Sequence, residues 1–388
     1  MQDNIRSSAS VVGEALSGGR LTIDRDAIAA NWRLLEGHLK AGTTCAATIK
    51  ADGYGTGATG TAQSLWDAGC KTFFVALPGE GLILREALPD ATIYILGGLF
   101  PGAAGDLQSA RLIPVLNSVP EVEEWAAFCR AQGQKSKAAL QLNTGMNRLG
   151  MDPNEFANVM ARPEITDSFD QALLMTHLAC GSDPDHPLNR RQLEAFRAAT
   201  DPFRQIPRSM ANSAGVFLGE NYHFDLARPG ISLFGGKAID TQANVMAPVA
   251  MVEARIMQVR FVPAGQTIGY GGAATAQRDL KVALVAAGYA DGLLRRAGSS
   301  DDRPGGFGQI GRHKVPLIGR VSMDMIAVDV TDVPGDLASR GSFVEMLGPN
   351  VDAADLAAYA DTIDYEYLTS LGQRYHRRYQ PLPTPDQK

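Results

Sequence analysis

A lysine closes an apolar run in Thr48-Ile49-Lys50-Ala51-Asp52-Gly53-Tyr54-Gly55, with a glycine-containing turn behind it and Tyr54 four residues on. If the run is a strand of a parallel barrel, Lys50 stands at the C-terminal mouth, the face on which barrel active sites are built. A partly buried lysine loses its proton readily and can bond covalently to a carbonyl. The same pattern also describes a surface lysine whose stem lies on apolar neighbours while its amine stays in water. Elsewhere, Arg228 precedes Pro229 and Gly230, which places it on a rigid, extended turn. His177 ends another apolar run, and Tyr270 sits between two glycines.

These groups need a scaffold, and the first two thirds of the chain alternate short β-rich runs with helical stretches, the pattern of βαβ units. Candidate strands lie at 45–49, 73–77, 92–96, 113–116, 139–142, 173–177, 209–210 and 231–234. Eight such units predict a closed (β/α)8 barrel. The stretch 119–132, with Val122, Trp125, Ala126 and Cys129 at helical spacing, represents the outer ring. From about Val249 the texture changes to β-branched runs at 251–262, 280–286, 314–317, 325–330 and 343–346, followed by a helical stretch at 353–359. The fold class is therefore α/β: a TIM-like barrel over 24–245, then a predominantly β domain over 246–388 joined by residues 1–23.

Composition narrows the function. A chain of 388 residues with 45% hydrophobic and 20% charged residues has the profile of a globular enzyme of two or three domains. Its net charge of −6 leaves no basic surplus for phosphate backbones, so nucleic acid is not an expected partner. The run Arg374, His376, Arg377, Arg378 reads as a solvated terminal segment. Cys45, Cys70, Cys129 and Cys180 form no CxxC pair, which indicates neither a zinc site nor a disulfide framework and suits a reducing, cytoplasmic setting. No apolar stretch approaches the length of a membrane span, and no metal is expected.

The Lys50 segment closely resembles the attachment motif for pyridoxal 5′-phosphate (PLP) in the alanine racemases, often written with Ala where this chain has Gly53. Further matches fall in the family's order: Leu21-Thr22-Ile23-Asp24, Asn143 to Gly150, Ala211-Asn212-Ser213, Arg228-Pro229-Gly230-Ile231, Gly269-Tyr270-Gly271, Gly288 to Gly292, Gly319 to Asp324, and Tyr365-Glu366. The resemblance implies a PLP-binding barrel, a following β-domain and a head-to-tail homodimer with composite active sites. Alanine is the implied substrate.

Racemisation requires two bases on opposite faces of a planar intermediate, because each stereoisomer offers its α-proton to a different side. Lys50 serves one face, and the resemblance implies that Tyr270 of the partner subunit serves the other. A phenol ordinarily ionises near about pH 10, and a cation roughly 4 Å away offers on the order of 4 kcal/mol towards moving that proton. The family places the counterpart of His177 between this tyrosine and the arginine, here Arg228, that faces the pyridine nitrogen. A guanidinium can only donate there, which leaves the ring a weaker electron sink and limits side reactions. Ser213 and the amides of Gly230 and Ile231 lie at late strand ends, where barrels bind phosphate. By resemblance Tyr54 and Tyr365 complete that cradle, with Asn212 beside it. Arg148 and the amide of Met323 of the partner subunit are implied to hold the substrate carboxylate, and Tyr289, Arg295 and Arg320 to line the entry corridor. Read alone, His177 equally describes a core histidine, Ser213 a helix cap, and the arginines ordinary surface charge.

The chain departs from the family pattern in two places. Gln141 stands seven residues before Arg148, where many relatives carry a lysine modified to a carbamate, and Asn143 replaces an aspartate. Ser182 occupies the place of a corridor aspartate, with Asp183 one position later. Competing readings are a racemase for serine or a broader set of amino acids, a PLP-dependent decarboxylase, and a non-catalytic PLP-binding protein. Ser322 stands where a decarboxylase would use a nearby cysteine, and a simple carrier has no use for Tyr270.

Overall fold

The structure, a computed structural model, describes residues 13–383, so the expectations for the first twelve residues and the last five lie outside it. The chain divides into two compact units, Ile28–Met246 and the described residues before and after that span.

Ile28–Met246 is built on parallel strands. Ala47–Thr48, Thr72–Val75, Thr92–Ile95, Ile113–Leu116, Lys137–Gln141, Asp170–Met175 and Arg208–Ser209 pair in sequence order. Their residues are largely buried, as strands covered on both faces must be. Ala46, Phe74, Tyr94, Ile113, Val115, Ala139, Leu173 and Met175 form one apolar core drawn from successive strands. Phe74 and Tyr94 stack within it at 4.7 Å.

The eighth strand is Leu226–Ala227, parallel to Thr44–Cys45. Ala46 N–H donates to the Ala227 carbonyl at 2.9 Å on one side, and Arg228 N–H donates to the Ala211 carbonyl at 2.8 Å on the other, which closes the ring. The expected strand at 231–234 is instead a 3-10 helix, Ile231–Phe234. Pro229 and Gly230 end the strand, and the Ser213 hydroxyl accepts from Gly230 and Ser232 N–H at 2.9 and 3.3 Å. Leu233 N–H then turns back to the Gly230 carbonyl at 2.9 Å. The helix Val119–Gln132 starts at Ser118, whose side chain accepts from Glu121 N–H, and ends at Gly133.

In the other unit the long strand Ala250–Val262 pairs antiparallel with Gly19–Ile23, Phe343–Leu347 and Leu280–Val285. The run at 374–378 is not a solvated tail. His376–Tyr379 is a strand parallel to Gly19–Ile23, and Arg378 donates to Thr22 Oγ1 and Glu253 at 2.9 and 3.2 Å. Arg378 is paired with Glu253 within the sheet, and Arg374, just before the strand, is paired with Asp291 and Asp324. Among the described residues, no helix is long and apolar enough to cross a membrane.

Candidate active site

Lys50 follows Ala47–Thr48 directly and opens an unusual turn. Ala51, Asp52, Gly53 and Tyr54 all take left-handed φ, at 54°, 52°, 62° and 53°. Such a conformation costs roughly 1–2 kcal/mol per L-residue, so surrounding bonds must impose it. Glu80 Oε1 accepts from Ala51 N–H at 2.6 Å, and its other oxygen accepts from Ala76 and Leu77 N–H at 2.7 and 3.0 Å. Asp52 Oδ1 accepts from Ala58 N–H at 2.8 Å. The Glu80 carboxylate thus ties the peptide after Lys50 to the end of the neighbouring strand. Sequence reading missed it, although a glutamate two residues after Pro78 is a recognisable helix-start signal.

Burial holds the Lys50 amine below the ordinary lysine range, Arg148 adds to the effect and Glu80 opposes it. His177 sits just beyond its strand, and burial together with Arg228, Arg148 and Lys50 drives its imidazole down to about 3. The ring is therefore neutral at physiological pH and can pass on a polarised hydrogen bond, not a charge of its own. Arg228 is buried and its guanidinium is pushed down to about 9, still cationic at neutral pH. Its Nη2 donates to the Thr176 carbonyl at 2.8 Å and its Nη1 makes a short bond to Ser209 Oγ.

Tyr54 and Phe234 stack at 4.7 Å, and a Cβ on Gly230 would overlap the Tyr54 hydroxyl. Asn212 accepts from Gly215 N–H at 2.9 Å, setting the turn that bears Ser213. Ser232 Oγ is buried without a partner among the described residues, and the Ile231 N–H meets no acceptor among them. Hydroxyls and free amide hydrogen thus converge where only a glycine fits, a donor set suited to a phosphate. Gly230→Ala should weaken PLP binding by on the order of tenfold or more, about 1.4 kcal/mol, measured by equilibrium dialysis of the cofactor. Unchanged affinity would remove this cradle from the account.

Gln141 does not reach the Arg148 side chain by a hydrogen bond; its Nε2 donates to the Leu149 carbonyl at 3.2 Å. Asn143 Oδ1 accepts from Gly145 and Asn147 N–H at 3.1 and 3.0 Å. Both residues hold the backbone of the turn, and the exposed Arg148 guanidinium has no ion pair or hydrogen bond among the described residues. A buried network also lies behind this turn. Gln192 Nε2 donates to Thr144 Oγ1 and to the His177 carbonyl at 3.1 and 2.9 Å, while its oxygen accepts from Ala179 N–H at 2.9 Å.

The remaining expected residues belong to the second unit. Tyr270, in a tight turn from Gly269 to Gly272, is 72% exposed, and the Arg320 guanidinium lies over Gly271. Tyr289 and Arg295 lie on short 3-10 turns, Met323 on an exposed loop and Tyr365 on the helix Asp364–Thr369. In the first unit the Ser182 carbonyl accepts from Asp240 N–H at 2.9 Å, and Asp183 is exposed.

Residues 23–238 match the family model for the alanine racemase N-terminal domain, and residues 249–379 match that for its C-terminal domain. An alanine racemase of Rhodospirillum rubrum is 45% identical over 92% of this chain and 95% of its own length. One of Rhizobium meliloti is 44% identical over 94% and 97% respectively. The crystal structure of alanine racemase from Bartonella henselae with covalently bound pyridoxal phosphate superposes with a TM-score of 0.88 at 38% identity, covering 94% of this chain and 99% of that one.

Proposed function

The chain belongs to the alanine racemase family, and from that membership and the site geometry we propose that it interconverts L- and D-alanine on PLP held by Lys50. The observation that carries this reading is a strand-end lysine opening a left-handed turn fixed by Glu80, its amine held below the ordinary lysine range by burial and by Arg148. PLP, when bound, supplies a carbonyl and a conjugated ring that make the α-proton of an attached amino acid acidic.

Tyr54, Ser213, Tyr365 and the amides of Gly230 and Ile231 hold the phosphate, with Asn212 fixing the Ser213 turn. Arg228, a donor that does not give up its proton, would face the pyridine nitrogen of the bound cofactor. Arg148 and the Met323 N–H orient the substrate carboxylate. The Lys50 amine would take or return the α-proton on one face, and the phenol of Tyr270 would do so on the other. His177 passes the polarisation of Arg228 towards that phenol. Tyr289, Arg295 and Arg320 line the path of entry.

Tyr270 comes from the partner subunit of a homodimer in this reading. Support lies in the exposure of Tyr270, Tyr289, Met323 and Met325, an apolar set that a second copy would cover. The four unpaired cysteines suit a reducing compartment, the cytoplasm. A chiral assay of the purified protein tests the substrate: both enantiomers of alanine should be interconverted faster than those of serine. Preference for serine, or decarboxylation without racemisation, would contradict the assignment.

Gln141 cannot become a carbamate, so activity should be independent of bicarbonate at fixed pH and ionic strength. The Gln141→Lys variant should gain that dependence. A response to bicarbonate in the unaltered protein would overturn this reading of the position.

A further inference from the structure

Two turns of the second unit meet backbone to backbone. Tyr289 N–H donates to the Ser322 carbonyl at 3.0 Å and Ala290 N–H to the Met323 carbonyl at 3.1 Å. A Cβ on Gly288 would overlap both carbonyls, so nothing larger than glycine fits there. Asp291, 5% exposed, accepts from Gly288 N–H at 2.9 Å and braces its own turn.

One side chain joins the two turns. Arg374 Nε and Nη2 donate to the two oxygens of Asp291, each at 2.7 Å, and its Nη1 donates to Asp324 Oδ1 at 2.8 Å. These are charge-assisted bonds, one pair of them bidentate, and roughly twice as strong as neutral ones. Within the Met323 turn, Ser322 N–H donates to the Met325 carbonyl and Met325 N–H to Ser322 Oγ, at 3.1 and 3.3 Å. The Met323 N–H meets no acceptor among the described residues. The ends of the turn are thus bonded to each other, and the Met323 N–H is left open to a ligand.

We propose that Arg374 is a positioning residue for substrate recognition: by bridging Asp291 and Asp324 it aims the Met323 N–H at the substrate carboxylate. The inference rests on the reading that this amide contacts that carboxylate. Arg374 itself need not touch substrate. A lysine cannot reproduce the brace, because an ammonium lacks the planar fork that reaches both carboxylates at once. Asp324 is the outer link and Asp291 the inner one, which places the recognition effect mainly at Asp324 and the folding effect mainly at Asp291.

The test uses the cofactor-loaded full chain and propionate, which has the carboxylate and methyl of alanine but no amine. In Arg374→Lys, propionate binding by calorimetry and the KM for alanine should both worsen by about tenfold, with kcat and PLP affinity retained. Asp324→Asn, whose exposed side chain matters little to folding, should shift the same two quantities by roughly threefold. Met323→Pro, which lacks the N–H, should weaken propionate at least as much as Arg374→Lys. If Met323→Pro loses propionate affinity while Arg374→Lys and Asp324→Asn keep it and only the unfolding temperature falls, Arg374 is a plain structural brace and the proposal is wrong. If Met323→Pro binds propionate normally, the reading of the Met323 amide fails, and the proposal with it.

Discussion

Lys50→Ala protein should show neither racemisation nor the visible absorbance of lysine-bound cofactor. Both properties depend on one amine, which forms the covalent link and then carries the α-proton on one face. Burial and Arg148 lower its proton affinity, so the nucleophilic neutral form is accessible nearer to neutral pH than for a free lysine. The loss should exceed that from any other single substitution, because no neighbouring residue offers a second amine. Small primary amines such as methylamine, added to the variant, serve as a control; partial rescue would show that the missing group is chemical, not structural. Retention of both absorbance and turnover in Lys50→Ala would remove Lys50 from the site.

Tyr270→Phe should lower turnover in both directions by about 10²- to 10⁴-fold, the range that a positioned acid–base group contributes. Cofactor should stay bound, since the Tyr270 hydroxyl is neither the covalent link at Lys50 nor part of the phosphate cradle. KM should change little, because the lost hydroxyl acts on the proton and not on the carboxylate. A reduction confined to one direction at saturation would mark a change in which step limits turnover. Near-normal turnover in both would require another second base.

The barrel was legible where its physics is local. Apolar runs such as Ile113–Leu116 and the amphipathic Val119–Gln132 with its Ser118 cap each specify their own structure. The eighth strand was not, because Ile231–Phe234 is a short apolar run that periodicity cannot distinguish from a buried strand, whereas Leu226–Ala227 is only two residues long. The basic run near the C-terminus was misread for a related reason. Its strand partner, Gly19–Ile23, lies at the other end of the sequence.

The chemistry-bearing residues could be read from their motifs, but not what shapes them. Four successive left-handed residues after Lys50 defy local preference at Ala51, Asp52 and Tyr54, and bonds from Glu80 and Asp52, which no local pattern announces, help to impose them. The Arg374 bridge to Asp291 and Asp324 is likewise tertiary, joining three separated segments. Gln192 was invisible as a polar residue on an ordinary helix, yet it links the turns bearing His177 and Arg148.

The most direct test of a two-base site shared between subunits is complementation between inactive variants. Lys50→Ala and Tyr270→Phe homodimers are mixed in equal amounts, exchanged under conditions where mass spectrometry confirms heterodimers, and assayed with alanine. Each heterodimer then holds one intact site, so activity should rise to about a quarter of that of the unaltered protein. Heterodimers as inactive as their parents would contradict the account, because Lys50 and Tyr270 would then have to act within one chain.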